Sequence, residues 1–404
     1  MNGLLSPHGG KLVERQVRGA EREERLHQAR LLPAVTLDAW ELAQVEMFAT
    51  GALSPLEGFL READYDSVVD RMQLSDGTVW PLPVTLSLTE GEADLWREGK
   101  DLALKTPDGQ QVAVLHQPEL FPYNRMVEAK LVYGTTDPSH PGVARVLAQG
   151  PYYVGGRLSV LDLPGSREYA EYRLTPAQTR QEFARRGWQQ VVGFQATGPI
   201  HRAHEYLLRC ALETADGLMI HPAVGKDDGE DLPAAIRLRC IRALLDHYFP
   251  LDRAMLVVNP MVTRFGGPRE AIFHAILRQN YGCSHFIIGR DLASVGKFYG
   301  PMDAQKIFER YGREQLAVTP LFFDNAFYCG ACQGMATIKT CAHPISERVT
   351  LSGTAVRQIL AEGKEPPPEF TRPEIAEILK EAYPAPGEPA ADASADRVKA
   401  SSPF

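Results

Sequence analysis

The chain has 404 residues, a formal net charge of −8 and 44% hydrophobic residues, as suits a soluble protein with two or three domains and proper cores. The acidic balance argues against a surface that coats nucleic acid, although a local basic pocket stays open. No run approaches about 18 consecutive apolar residues and the first residues lack the apolar core of a signal peptide, so a cytoplasmic protein with neither membrane nor nucleic-acid partners is expected.

Residues 1–165 carry short β-type runs broken by Gly, Pro and Asp, at 78–86, 111–115 and 152–155, with a turn between apolar elements at 52–60. They predict a compact β-rich module. From residue 166 the pattern changes. Strand-like runs at 190–194, 217–220, 254–258 and 285–288 alternate with helical stretches at 201–214, 235–247 and 269–278. Such alternation predicts an α/β domain with a parallel sheet over 166–324, with ligands at the carboxyl ends of its strands. Residues 325–384 hold a Cys/His cluster and two helices, one starting near Thr354 and one opened by Pro373. The tail 385–404 is rich in Ala, Pro, Ser and Asp and is expected to be disordered.

The segment Gln195-Ala196-Thr197-Gly198-Pro199-Ile200-His201-Arg202-Ala203-His204-Glu205 follows the apolar run Val191–Phe194. His201 and His204 lie three residues apart and share one face at a helix start, where free backbone N–H groups favour phosphate. An isolated pair of this kind is more often one surface and one core histidine. The preceding strand, Gln195 and Pro199 favour phosphate here.

A second motif, Gly289-Arg290-Asp291-Leu292-Ala293-Ser294, follows the run 285–288. Its glycine admits close approach of a ligand. Arg290 suits phosphate or adenine, and Asp291 suits Arg290 or a ribose; an exposed ion pair is the bland alternative. The two motifs are expected over one crevice. Arg264 and Arg269 precede or open a helix, apt for anions, or else are solvated charges. Cys329, Cys332, Cys341 and His343 have the spacing of a closed tetrahedral zinc site, structural rather than catalytic. Cys210, Cys240 and Cys283 read as buried thiols. No GxxxxGK[ST] phosphate loop occurs.

With Ser6–Gly10, Ser54–Phe59, Gly267–Ala271, Phe298–Gly300 and Ser352–Arg357, these motifs resemble, in order, those of bacterial single-function sulfate adenylyltransferases (ATP sulfurylases). The resemblance runs from Ser6 to about Leu379. It implies a PUA-like β-rich domain at 1–165, a Rossmann-like nucleotidyltransferase domain at 166–324 and a small zinc-containing subdomain at 325–384. It further implies ATP with Mg²⁺, sulfate as acceptor, pyrophosphate as leaving group, and a homodimer. His201 and His204 would stabilise charge on the α- and β-phosphates. Gln195, Gly289, Arg290, Asp291, Leu292 and Ala336 would line the nucleotide site. Gln195, Thr197, Ala293 and Arg264 would face the acceptor.

Departures cluster on this site. The family motif Gln-Thr-Arg-Asn is here Gln195-Ala196-Thr197-Gly198, so Thr197 stands for the sulfate-gripping arginine and Gly198 for the asparagine. Leu292 and Ser294 replace a histidine and a glycine of the second loop. A hydrogen bond to a charged group contributes about 1.5–3 kcal/mol, so losing the arginine weakens oxyanion binding roughly ten- to hundredfold. Lys297, Arg202 or Arg264 is expected to replace the charge. Otherwise the acceptor is a phosphonate, sulfonate, carboxylate or sugar phosphate, or the nucleotide differs from ATP. A non-catalytic nucleotide- or RNA-binding homologue is the third reading; the acidic charge and the two histidines oppose it.

Overall fold

The structure, a computed structural model, describes residues 3–95, 100–163, 169–225, 232–290, 292–351 and 353–383. Asp291 and the tail 385–404 lie outside the described residues. The chain forms two compact units. The larger comprises Met1–Gln195, Ala215–Asp227 and Val257–Phe323, and the smaller Ala196–Thr214, Asp228–Leu256 and Asp324–Phe404.

In the larger unit, one sheet has the strand order Ala34–Thr36, Leu102–Lys105, Gln111–Pro122, Tyr152–Val160, Gly58–Phe59, and Leu86–Leu88 also pairs with Tyr152–Val160. The first pair is parallel and the rest antiparallel. The run 78–86, expected to be strand, is strand only from Leu86. Pro81 and Pro83 have no N–H to donate to a ladder. Residues 79–84 are nevertheless buried, so their carbonyls need other donors. His8 Nε2 donates to Val79 O at 2.7 Å, Arg269 Nη1 reaches Pro81 O at 3.3 Å, and Arg264 Nη1 donates to Pro83 O at 2.9 Å.

Those contacts correct the reading of Arg264 and Arg269 as anion ligands. Arg264 is 6% exposed, and its guanidinium also lies over the rings of Trp40 and Phe273, at 5.5 and 5.1 Å. Arg269 also donates to Val68 O and Val69 O at 3.0 and 2.9 Å. Both side chains are committed to backbone carbonyls and packing.

Four strands of the parallel sheet lie in this unit, in the order Thr319–Phe322, His285–Ile288, Val191–Phe194, Gly217–Ile220. Val191–Phe194 continues to Gly217–Ile220 on one side, and the later strands His285–Ile288 and Thr319–Phe322 are added on the other. The order therefore reverses between Val191–Phe194 and His285–Ile288, and ligands of such sheets bind at that point. Pro176 at the first position and the Thr175/Gln178 capping box start the helix Pro176–Arg185. The helix Gly267–Tyr281 is buried along most of its length and ends at Gly282, whose φ of 101° suits glycine.

In the smaller unit, the helices Arg202–Leu212 and Ala234–Tyr248 accompany a three-stranded antiparallel sheet, Gly334–Ala336, Phe327–Cys329 and Arg348–Val349. The helices Gly353–Ala361 and Pro373–Lys380 follow, and the latter packs on Ala234–Tyr248. Buried Glu205 ties these parts together. It accepts two bonds from Arg372, at 2.9 and 2.8 Å, and one from Arg209 at 3.1 Å. Arg372 also covers the Tyr248 ring at 4.0 Å.

Glu128 gives the larger unit a pH dependence of defined sign. It is buried, accepts from Tyr65 Oη at 2.8 Å and Tyr153 Oη at 3.0 Å, and burial pushes its carboxyl up to about 7. The folded chain thus holds this proton more tightly than the unfolded chain. The stability Glu128 supplies is present at acid pH and declines as pH rises from the ordinary carboxyl range past 7. Glu128→Gln removes that decline. Its melting temperature relative to wild type should rise between about pH 5 and about pH 8; a difference constant across that range would contradict the assignment.

Candidate active site

Gln195 directly follows the strand Val191–Phe194 and is buried. Its Oε1 accepts from Arg278 Nη2. Arg278 is 0% exposed and also donates to His221 O and His274 Nδ1, each at 3.0 Å, with its guanidinium 5.1 Å from the Phe286 ring centre. His274 in turn faces Glu270 at 3.5 Å, and Glu270 accepts from the Arg264 and Gly266 N–H groups at 2.9 Å each. Residues 270, 274 and 278 recur every four positions, so one helix face carries the whole series.

No carboxylate pairs with Arg278 among the described residues. Burial lowers its pKa to about 10, so it remains a cation near neutral pH. His221 and His274 are held well below the ordinary histidine range, first by burial and next by Arg278, and are neutral. A guanidinium only donates, which obliges Gln195 to turn its oxygen to Arg278. The Nε2 hydrogens, with no protein acceptor among the described residues, are left for a ligand.

Gly289 and Arg290 follow the neighbouring strand His285–Ile288, in which Phe286 pairs with Gly193. The sequence-predicted residues Gln195, Gly289 and Arg290 therefore come out at adjacent strand ends, at the reversal of strand order. Arg290 is half-buried and makes no hydrogen bond or ion pair among the described residues; its Nε is buried. Leu292 and Ala293 are half-buried. Ala293 has φ 57°, a left-handed conformation that costs a non-glycine residue about 1 kcal/mol and tends to collect at ligand sites. Asp291, expected beside them, lies outside the described residues.

In the smaller unit, His201 is the N-cap of the helix Arg202–Leu212 and His204 stands on its first turn, exposed. His201 Nδ1 lies 3.0 Å from Thr371 Oγ1, and its ring lies 4.5 Å from that of Phe370. Burial, and then His204, lowers its pKa to about 4, so the imidazole is neutral near pH 7. The helix start is less open than expected from sequence. The Arg202 N–H already donates to Phe370 O at 2.9 Å, and Arg202 Nη1 to Pro368 O at 3.0 Å.

Thr197, Gly198 and His201 line a cavity of about 320 Å³ together with Arg237 and Arg357. Arg237, 2% exposed, donates from Nη1 to Thr197 O at 3.4 Å. Sequence reading passed over Arg237, which stands in a helical run among other arginines with nothing local to separate a lining cation from a solvated one. The flanking apolar Ile236 and Leu238 were the only hint of burial.

Cys329, Cys332, Cys341 and His343 converge, all ligand atoms lying within 4.8 Å of one another. Cys332 Sγ is 3.8 Å from Cys341 Sγ, and His343 Nδ1 is 3.6, 3.2 and 3.6 Å from the sulfurs of Cys329, Cys332 and Cys341. A tetrahedral zinc ion needs about 3.7 Å between sulfurs and about 3.5 Å from sulfur to nitrogen. The Cys332 N–H on its sulfur, at 3.4 Å, holds the Cys329 thiol down to about 7. The four residues could hold a metal ion. Ala336, expected near the nucleotide, pairs with Phe327 and packs with Phe327 and Cys329 under this cluster.

Gly193 makes room for the Arg278 side chain: a Cβ there would lie 2.6 Å from Arg278 Cγ. Gly193→Val should destabilise the protein by about 1–3 kcal/mol, as overpacking does, and displace Arg278 from Gln195. Urea unfolding measures it, and unchanged stability would contradict the close approach.

Comparison with known proteins bears on the same residues. Residues 170–382 match the ATP-sulfurylase family and residues 5–163 match the PUA-like domain. The sulfate adenylyltransferase of Symbiobacterium thermophilum is 55% identical over 95% of this chain and 98% of its own length. That of Halothermothrix orenii is 50% identical over 93% and 98%. Among solved structures, the hexameric APS kinase from Thiobacillus denitrificans superposes with a TM-score of 0.76 at 27% identity, covering 95% of this chain and 69% of that one. The chain belongs to the ATP-sulfurylase family, with a PUA-like domain preceding the family domain.

Proposed function

We propose that the protein is a sulfate adenylyltransferase, joining ATP and sulfate to give adenosine 5′-phosphosulfate and pyrophosphate, or the reverse. The observation that carries this reading is full-length identity of about one half to enzymes of that name. The retained His201/His204 helix start and the donors at Gln195 and Arg290 support it.

A sulfate oxygen attacks the α-phosphorus in line. The bond from that phosphorus to the α–β bridging oxygen breaks, and pyrophosphate leaves with the electron pair. The protein's part is positioning and charge stabilisation rather than covalent chemistry. Gln195 Nε2 donates to an anionic oxygen, its orientation fixed by Arg278. Gly289 allows close backbone approach to the nucleotide, and Arg290 offers an uncommitted cation, with Leu292 and Asp291 beside them. His201 and His204 donate from neutral rings to the α- and β-phosphates. Thr197, Gly198 and Ala293 face the acceptor, and Ala336 stands near the nucleotide. When bound with ATP, Mg²⁺ would supply neutralisation of phosphate charge. His204→Gln should lower kcat roughly a hundred- to a thousandfold, as loss of one preorganised donor does, with the melting temperature unchanged. Full activity in that variant would remove His204 from the mechanism.

The Cys329, Cys332, Cys341 and His343 set holds zinc in this reading, with a structural role. Metal analysis should find about one zinc per chain, and chelation should lower the melting temperature. Metal-free protein with an unchanged melting temperature would contradict it. A cytoplasmic homodimer is proposed on the resemblance. No helix among the described residues is long and apolar enough to cross a membrane.

A second reading keeps adenylyl transfer but changes the acceptor. It is favoured by Thr197 and by Gly198, where a Cβ would meet nothing within 4 Å among the described residues, leaving room for a larger anion. Pyrophosphate release measured across sulfate, sulfonates, phosphonates, carboxylates and sugar phosphates separates the two. Sulfate should give the highest kcat/KM, and a different leading acceptor would favour the second reading.

A further inference from the structure

We infer that Tyr299, with His140 behind it, is a positioning residue that fixes the nucleotide loop after the strand His285–Ile288 against the turn that also anchors Gln195. The inference rests on the transferase reading and assigns residues that reading leaves without a part. The loop carries Gly289, Arg290, Leu292 and Ala293, and Phe298-Tyr299-Gly300 close it. At its start, Gln305 Nε2 donates to Ile288 O at 2.9 Å. At its far end, Tyr299 Oη donates to Phe265 O at 3.1 Å. The Tyr299 ring packs directly on Gly267, where a Cβ would lie 2.5 Å from Tyr299 Cζ.

His140 sets the direction of these bonds. It is 0% exposed and caps the helix Pro141–Ala148, its Nδ1 accepting from the Gly142 and Val143 N–H groups at 3.1 and 3.4 Å. Burial holds its pKa below the ordinary histidine range, so the ring is neutral. Its one ring hydrogen is therefore on Nε2, which donates to Tyr299 Oη at 3.0 Å. The phenol, already accepting there, turns its own hydrogen to Phe265 O. Phe265 has φ 57°, a left-handed conformation that persists only where its surroundings hold it. On one side of this turn, Glu270 accepts from the Arg264 and Gly266 N–H groups, and the series continues through His274 and Arg278 to Gln195. On the other side, Tyr299 holds the carbonyl between those two N–H groups. The loop and the Gln195 donor are thus referred to one turn, and a nucleotide that binds them has less chain to order.

The test uses Tyr299→Phe, His140→Asn and the double variant. Tyr299→Phe keeps the ring on Gly267 and removes both hydrogen bonds. His140→Asn keeps an acceptor for the helix start and removes the donor to Tyr299 Oη. Affinity for ATP with Mg²⁺ is read by calorimetry, which needs no turnover. Pyrophosphate release gives kcat and the KM values for ATP and for sulfate, and melting temperature reports folding. Tyr299→Phe should weaken ATP binding and raise its KM roughly two- to tenfold, as loss of a neutral hydrogen bond does. The kcat and the KM for sulfate should change by less than about twofold. His140→Asn should shift ATP affinity in the same direction, and the double variant should match Tyr299→Phe, because both changes break the same chain of bonds. If Tyr299→Phe does not fold, His140→Asn carries the comparison. Unchanged ATP affinity in the folded variant, equal loss of ATP and sulfate, or losses that multiply in the double variant would overturn the assignment. A wild type that binds ATP with these variant effects yet releases no pyrophosphate would instead overturn the transferase reading.

Discussion

A buried guanidinium under a strand end sets what this site can be. Arg278 sits fully inside the larger unit, held by Gln195 Oε1, His221 O and His274 Nδ1 rather than by a carboxylate. An ionised group in such surroundings is tolerable only when its hydrogens are satisfied. Three neutral acceptors satisfy several of them without cancelling the charge, so the cation's field persists at the end of the strand Val191–Phe194. The strand glycine at 193 admits the side chain, and the helix Gly267–Tyr281 presents it at a fixed height above His274 and Glu270. Gln195 inherits its orientation from that arrangement. In the proposed reading, a site for polyanions begins with this charge.

Other arginines show how poorly residue type alone predicts role. Arg180 closes the carboxyl end of the same helix, donating to Asn280 O and Gln279 O at 2.8 and 2.6 Å and to Leu5 O at 2.8 Å. Arg264 and Arg269 serve the proline-broken segment near residue 80. Each satisfies carbonyls that no sheet ladder reaches, and an unsatisfied buried carbonyl costs about 1–3 kcal/mol. These guanidiniums stabilise the scaffold, whereas Arg290 makes no hydrogen bond or ion pair among the described residues.

Much of the architecture was legible in the residues. The runs at 217–220 and 285–288 are strands with those bounds, and the helices at 201–214 and 235–247 appear as Arg202–Leu212 and Ala234–Tyr248. Periodicity and caps are local properties and report locally. Gln195 and the pair Gly289-Arg290 come out at adjacent strand ends because each directly follows an apolar run that forms a strand of the same sheet. What stayed hidden depends on distant partners. The run 78–86 has strand-like composition, but its prolines divert its carbonyls to residues nearly two hundred positions away. Phe370 O closes part of the helix start that His201 opens, and Arg237 meets Thr197 forty positions away. Arg264 looked like an anion ligand because the residues that consume it, Pro83 and Trp40, are remote in sequence.

In the proposed function, this site transfers an adenylyl group to sulfate even though its oxyanion arginine is absent. Isotope exchange of labelled pyrophosphate into ATP by the purified protein tests it most directly. Exchange should require Mg²⁺, rise with sulfate and saturate at higher sulfate than an arginine-bearing motif would need. Exchange that is absent at every sulfate concentration, or that proceeds equally without sulfate, would contradict it.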